Sequence, residues 1–286
     1  MKITYEISQI VPYINWVYFY YAWGIHSRPE AEQQKLRQEA EEALQQIEGR
    51  YRTYALFELY EAYSDGDDII VSRGVRSEEC GVRIPCLRQQ QGNPPFYCLS
   101  DFISPQNISH SSLHTPHSSV PTPHSSKLGV FATSVDHGFE TDFDDDPYQK
   151  MLMQLLADRL AEATAERMHE EVRKHYWGYA PEENLSIAEM QVEKFQGIRP
   201  AVGYPSLPDT SLNFVMDELL DMKQIGIRLT VSGAMKPHAS VSGLMMAHPK
   251  AQYFSLGKIG EDQLRDYARR RGLPVEVVRK FLVANL

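Results

Sequence analysis

Chemistry is concentrated in Gly197-Ile198-Arg199-Pro200-Ala201-Val202-Gly203-Tyr204-Pro205. Arg199 presents a planar fork of donors that fits a carboxylate or a phosphate. Tyr204 presents a flat ring tipped by a hydroxyl. Two prolines and two glycines in nine residues exclude a regular helix or a central strand. The stretch is expected to be a shaped, extended loop whose backbone approaches something closely. On these residues alone, the commoner reading is a loop with Pro-fixed corners, an Arg salt bridge and a half-buried Tyr. The other reading is a ligand clamp.

Two further groupings suggest metal chemistry. Glu166-x-x-His169 is half of a di-iron signature, but the chain has no convincing second copy. His169-Glu170 opens like a zincin motif, but Arg173 stands where the second histidine belongs. Both are expected to be surface residues. Pro105 to Lys127 is rich in Ser, Thr and Pro and carries His110, His114, His117 and His124. No Cys or carboxylate sits among these histidines, so a polar surface loop is preferred to a metal loop, and no metal site is assigned.

The elements that must position these residues read as mixed helix and strand. The N-terminal stretch through His26 is rich in rings that suit core packing. A charged helix is expected from Pro29 to Glu48, capped by Ser27 and ended by Gly49. Tyr51 to Tyr63 reads as a strand, Asp65-Gly66 as a hairpin turn and Asp68 to Ser72 as the return strand. Further strands are expected around Val82, Ile84 and Cys86 and over Leu128 to Val135. Tyr97 to Phe102 is expected to help shape the sheet, with Asp101 structural. An acidic run from Asp142 to Asp146 precedes a long helix, Pro147 to Tyr176, of about 45 Å. Its core stripe is Leu152, Leu156, Leu160, Ala163, Met168 and Val172. Glu162 lies toward that face, where an ordinary role would be a salt bridge to a neighbouring Arg. Then come an amphipathic helix over Leu212 to Lys223, a short strand at Arg228 to Val231 and a strand-like run from Gly243 to His248. Tyr253-Phe254 reads by pattern as ordinary strand aromatics. Two closing helices, Glu261 to Arg271 and Pro274 to Ala284, flank Gly272.

Composition narrows the function. A chain of 286 residues can bury a substantial core. Net charge is −9 without a basic stripe, so a nucleic-acid role has little electrostatic support. There is no apolar run of membrane-spanning length and no signal-peptide pattern. Cys80, Cys86 and Cys98 are an odd number without zinc spacing. Free thiols in a reducing cytoplasm are the economical reading.

The flanks of the loop decide between its two readings. LADRLAEATAERMHEEVRKHYWGYAPEENLS and EKFQGIRPAVGYP are followed by GAMKPHASVSG, AHP and YF. Together they strongly resemble the activation domain of cobalamin-dependent methionine synthase, the module that binds S-adenosylmethionine. The resemblance covers most of Asp146 to Leu286 and extends, more weakly, to VPYINWVYFYYAWGI and YCLSDFISP. It implies one α+β domain over 1–286, with 105–127 a low-complexity loop within it. The implied core is a twisted, largely antiparallel sheet surrounded by helices, bent so that the ligand lies in a groove.

The resemblance also implies the site. Ligand contact falls to Asn15, Glu162, Arg199, Ala201, Gly203, Tyr204, Tyr253 and Phe254. Arg199 suits the ligand carboxylate, Glu162 its methionine end, and the rings of Tyr204, Tyr253 and Phe254 the sulfonium and adenine. Tyr204 matches the tyrosine that approaches the cobalt face, where it would exclude or orient water. Asn15 stands where the family pattern Y-I-D-W has aspartate; it keeps an acceptor and loses the charge. The nucleophile is implied to be the reduced cobalt of cobalamin on a partner. The chain shows no D-x-H-x-x-G cobalamin motif, no homocysteine zinc site and no folate module. The expectation is a reactivation subunit, or a truncated form, acting in trans on a cobalamin-bearing methionine synthase partner. Flavodoxin or another one-electron donor would supply reduction. The alternatives are a non-catalytic S-adenosylmethionine-binding or corrinoid-protein-capping module, or a reactivator of a different corrinoid methyltransferase.

Overall fold

Alternating and β-branched stretches become strands in the computed structural model, which describes residues 1–72, 81–105 and 127–286. Cys80 and the four histidines of the Ser/Pro-rich segment lie outside the described residues. In chain order the elements are β1 (Lys2–Glu6), α1 (Ile7–Ile10), α2 (Trp16–Trp23), α3 (Glu30–Gln46), β2 (Arg52–Asp65), β3 (Asp68–Val71), β4 (Val82–Pro85) and β5 (Lys127–Val135). They continue as α4 (Gly138–Thr141), α5 (Pro147–Glu171), α6 (Ile187–Gln191), α7 (Asn213–Leu220), β6 (Arg228–Leu229), β7 (Met235–Lys236), β8 (Ser240–Met245), α8 (Glu261–Arg271) and α9 (Val275–Phe281). The fold is α+β. One sheet has the order β4-β3-β2-β5-β8, with β1 also paired to β2. β1 with β2, β2 with β3 and β3 with β4 are all antiparallel. β6 and β7 form a separate two-stranded ribbon.

The hairpin expected at Asp65-Gly66 is present, with Asp65 opposite Asp68 and Gly66 at φ +59°. A two-residue connection needs that left-handed geometry, which glycine adopts without steric cost. β5 is buried at every position after Lys127. Its sequence LGVFATSV lacks polar alternation because neither face meets water.

The chain packs as two compact units. The first comprises Met1–Glu58, Phe131–Phe195 and Met216–Ser242; the second comprises Leu59–Val130, Gln196–Val215 and Gly243–Leu286. In the first unit α5 is the central helix. Asp146 caps it by accepting from the amides of Tyr148 and Gln149, and Pro147 occupies its first position. All six stripe residues named from the sequence are buried. Alanines between them let the helix approach the strands closely. Thr164 donates to Thr53 at 2.8 Å and Thr133 donates to the Ala161 carbonyl at 3.0 Å. Each fully buried leucine on this face contributes roughly 1.5–3 kcal/mol.

Helix ends differ from expectation in physical detail. α3 begins after Pro29, which itself holds the cap position without a side-chain hydrogen bond, so Ser27 does not cap it. Proline fixes the entry φ and has no N–H to satisfy. α5 ends at Glu171, and Val172–Tyr176 form a wider π turn. Tyr97 to Phe102 contains a 3-10 turn over Leu99–Phe102. Asp101 there accepts from the Cys98 amide and from Arg88, as a structural residue does. The run from Leu212 to Lys223 divides into α7 and a 3-10 turn over Met222–Ile225. In the second unit Asp68 is buried and is neutralised by Arg83 and Arg270.

A polar ladder closes the C-terminal part of α5. Tyr13 donates to Glu170 at 2.6 Å and Tyr5 donates to Glu171 at 2.8 Å, while Arg167 bonds Glu171 and the Tyr13 hydroxyl. Burial alone would raise the Glu170 carboxyl, but the Tyr13 hydroxyl and the Lys174 ammonium outweigh it and hold it below its ordinary value. Such a carboxylate stabilises the fold above its unfolded pKa, 4.5, and the contribution is lost as pH falls through the folded value. Glu170→Gln should therefore lower the melting temperature near pH 7. Thermal melts repeated in increasingly acidic buffer should show that deficit shrink below about pH 4.5. A deficit independent of pH would contradict the assignment.

Candidate functional site

The 197–205 segment is a loop, and its main chain is fastened to the end of β8 within the second unit. Ile198 and Met246 exchange two hydrogen bonds of 2.9 Å, and the Leu244 amide donates to the Pro200 carbonyl at 3.0 Å. Ala201 bridges to Gly243. Beyond that pairing the chain folds tightly. The Tyr204 amide donates to Ala201, the Leu207 amide to Tyr204 and the Gly203 amide to Leu207 at 2.8 Å. Gly203 sits at φ +89°, a conformation that L side chains rarely adopt. Ala201 and Val202 are buried, Arg199 is half-buried and Tyr204 is 49% exposed.

Tyr253 and Phe254 meet this loop from irregular chain after β8; they are not strand aromatics. The Arg199 amide donates to the Tyr253 hydroxyl at 2.8 Å, which sets the ring beside the loop. Ser206 is buried and donates to the Phe254 carbonyl at 2.6 Å, and the Leu256 amide donates to the Pro205 carbonyl at 3.0 Å. Phe254 packs on Tyr97 with ring centroids 6.0 Å apart. Six of the eight candidate residues, Arg199, Ala201, Gly203, Tyr204, Tyr253 and Phe254, are thus brought together in one unit. Ser206 is a positioning residue that sequence reasoning missed. Its only signal is a small hydroxyl directly after Pro205.

Asn15 and Glu162 belong to the first unit. Asn15 caps α2, its Oδ1 accepting from the Val17 amide at 3.2 Å. An aspartate would make the same cap and add a favourable charge at the helix N-terminus. Glu162 is half-buried on α5, one turn after Asp158. Burial raises the Asp158 pKa and the Glu162 charge adds to that, against the Arg159 guanidinium.

His169 and Arg173 are not surface residues, contrary to the expectation for His169. Both are fully buried, and Glu166 is half-buried. Arg173 grips Glu183 with Nε at 2.9 Å and Nη2 at 2.6 Å, and its guanidinium lies 4.2 Å from the Phe195 ring centroid. Arg173 Nη1 is 3.0 Å from His169 Nδ1. A guanidinium only donates, so Nδ1 accepts and the ring proton sits on Nε2, 3.4 Å from the Tyr179 hydroxyl. The histidine is therefore neutral and structural. The arginine that spoils the zincin spacing is the anchor of a buried ion pair, and an i, i+4 His–Arg pair on an Ala-rich helix face was its signal. Among the described residues no group of three or more His, Cys, Asp or Glu could hold a metal ion. Among the same described residues no helix is long and apolar enough to cross a membrane.

An α+β fold with this strand order and this loop is the architecture of a known class of domain. The chain is 35% identical to a solved structure described as the MetH reactivation domain bound to AdoHcy, with a TM-score of 0.85. The match covers 100% of this chain and 90% of that one. Residues 6–272 match the family model of the vitamin B12 dependent methionine synthase activation domain, and the chain belongs to that family.

The loop's geometry makes Gly203→Ala a sharp probe. A Cβ there would meet Thr210 Cγ2 only at ordinary contact, 3.4 Å, so the cost is conformational rather than steric. Urea unfolding should show a loss of about 1–2 kcal/mol. An unchanged midpoint would mean that the turn does not need its left-handed residue.

Proposed function

We propose that this domain binds S-adenosylmethionine on the 198–204 loop and presents its methyl group to a cobalamin carried by a partner domain or subunit. The observation that carries the reading is the loop itself. A main chain clamped at Ile198 and Leu207 carries a half-buried arginine and, five residues on, a half-exposed tyrosine. The donor set fits the ligand. A guanidinium fork matches the amino-acid carboxylate, and ring faces suit a sulfonium and an adenine. Family membership and the AdoHcy named in the similar solved structure support the same ligand class.

Roles follow from chemistry. Arg199 takes the carboxylate. Ala201 and Gly203 let the ligand approach the backbone. Tyr253 and Phe254 offer ring surface, with Tyr253 oriented by the Arg199 amide. For Glu162 and Asn15 the proposal rests on the family motif, with Glu162 meeting the ligand's ammonium. Tyr204 stands at the methyl-bearing end and excludes or orders water there. Cobalamin would supply the nucleophile as reduced cobalt, and this chain's contribution is positioning. The partner is a cobalamin-bearing methionine synthase, with flavodoxin or a similar protein as electron donor.

Titration calorimetry with S-adenosylmethionine tests the reading, and Arg199→Ala should weaken binding by about ten- to a hundredfold, the size of one lost hydrogen bond to a charged group. Transfer of labelled methyl to a reduced cobalamin protein then separates a methyl-donating module from a binding module. Binding without transfer would favour the capping role, and no binding would reject the proposal. Asn15→Asp should tighten S-adenosylmethionine binding while the melting temperature holds or rises, because the cap survives the exchange. Weaker binding would show that the negative charge has no place at this position.

A further inference from the structure

The far end of the site loop is held by helix α8 through one buried carboxylate. Asp209 is 1% exposed. Its Oδ1 accepts from the Ser211 amide at 2.9 Å and from the Ser211 hydroxyl at 2.6 Å. Its Oδ2 accepts from the Tyr267 hydroxyl at 2.8 Å, with Arg271 Nε 3.4 Å away. Arg271 Nη2 also donates to the Ser211 hydroxyl at 2.8 Å. Tyr267 is itself 1% exposed. Thr210, next to Asp209, is the neighbour that faces Gly203.

We propose that Tyr267 and Arg271 are positioning residues for ligand binding. By anchoring Asp209 they fix Thr210 against Gly203, and so fix the turn that displays Tyr204. This rests on the ligand reading above, and its consequence is a site shaped by a helix that touches no ligand. A buried carboxylate must be paired to be tolerated, so losing one partner shifts the segment that carries it.

Tyr267→Phe keeps the ring and deletes one hydrogen bond. In the unliganded full chain, amide hydrogen exchange at Gly203, Tyr204 and Leu207 should accelerate about tenfold, while amides of β3 and the middle of α8 keep their rates. Affinity for S-adenosylhomocysteine should fall by about the same factor. Arg271→Gln should act in the same direction, and Arg271→Lys should largely restore both readouts by keeping the charge. Uniform acceleration across the unit would make Tyr267 a general stability residue and overturn the proposal, as would unchanged exchange in the loop. If Tyr267→Phe does not fold, the Arg271 pair decides. Should the unsubstituted protein fail to bind S-adenosylhomocysteine, the ligand reading falls, while the exchange data still judge the anchoring.

Discussion

The site depends on a short antiparallel pairing between residues 198–201 and 243–246. In an extended chain successive N–H groups point to opposite sides. The Ile198 amide faces Met246, so the Arg199 amide faces away, where the Tyr253 hydroxyl receives it. Pro200 follows and needs only its carbonyl, which Leu244 uses. A proline is tolerated here because no ladder donor is required of it. One backbone register thus places the arginine, orients a ring and accounts for the proline.

Burial of charge supports that register within each unit. In the second unit Asp68 is neutralised by Arg83 and Arg270, and Asp209 by Arg271, with the Tyr267 hydroxyl donating to it as well. In the first unit Arg173 is met by Glu183. Each of these buried ions has a close partner, as desolvation demands. Such pairs add little net stability compared with apolar packing, but breaking one is costly, so they select one arrangement over its competitors. Apolar burial along α5 and β5 supplies the bulk driving force; the ion pairs decide which loop lies where.

Much of this could be read from local pattern. The hairpin at Asp65-Gly66, the capped start of α5 and its leucine stripe follow from turn chemistry and period, which act over a few residues. The loop character of 197–205 followed from its prolines and glycines. The family motif supplied candidate residues that the geometry gathers in one unit, except Asn15 and Glu162. What could not be read was pairing at a distance. Nothing in GIRPAVGYP announces that Gly243 to Met246 is its partner, and nothing in SLPDTS announces Tyr267. The burial of His169 was missed for a related reason. Polar residues four apart on a helix usually face water, and the buried guanidinium is tolerated because Glu183, brought in by a later loop, pairs with it.

A loop held by its main chain has a consequence for how function is divided along it. The hydrogen bonds at Ile198, Pro200, Gly203 and Leu207 use backbone atoms, and the Arg199 bond to Tyr253 uses the amide rather than the guanidinium. Any residue other than proline at position 199 can keep that bond. The shape of the segment is therefore specified by its glycines, its prolines and its neighbours, while the identity of the arginine bears on what the segment meets. Preorganisation of this kind lowers the ordering cost of binding, since the backbone does not have to be arranged when the ligand arrives. It also places the vulnerable positions away from the binding residues. Strain at Gly203 or slack at Asp209 would loosen the display of Tyr204 without removing a single atom from it.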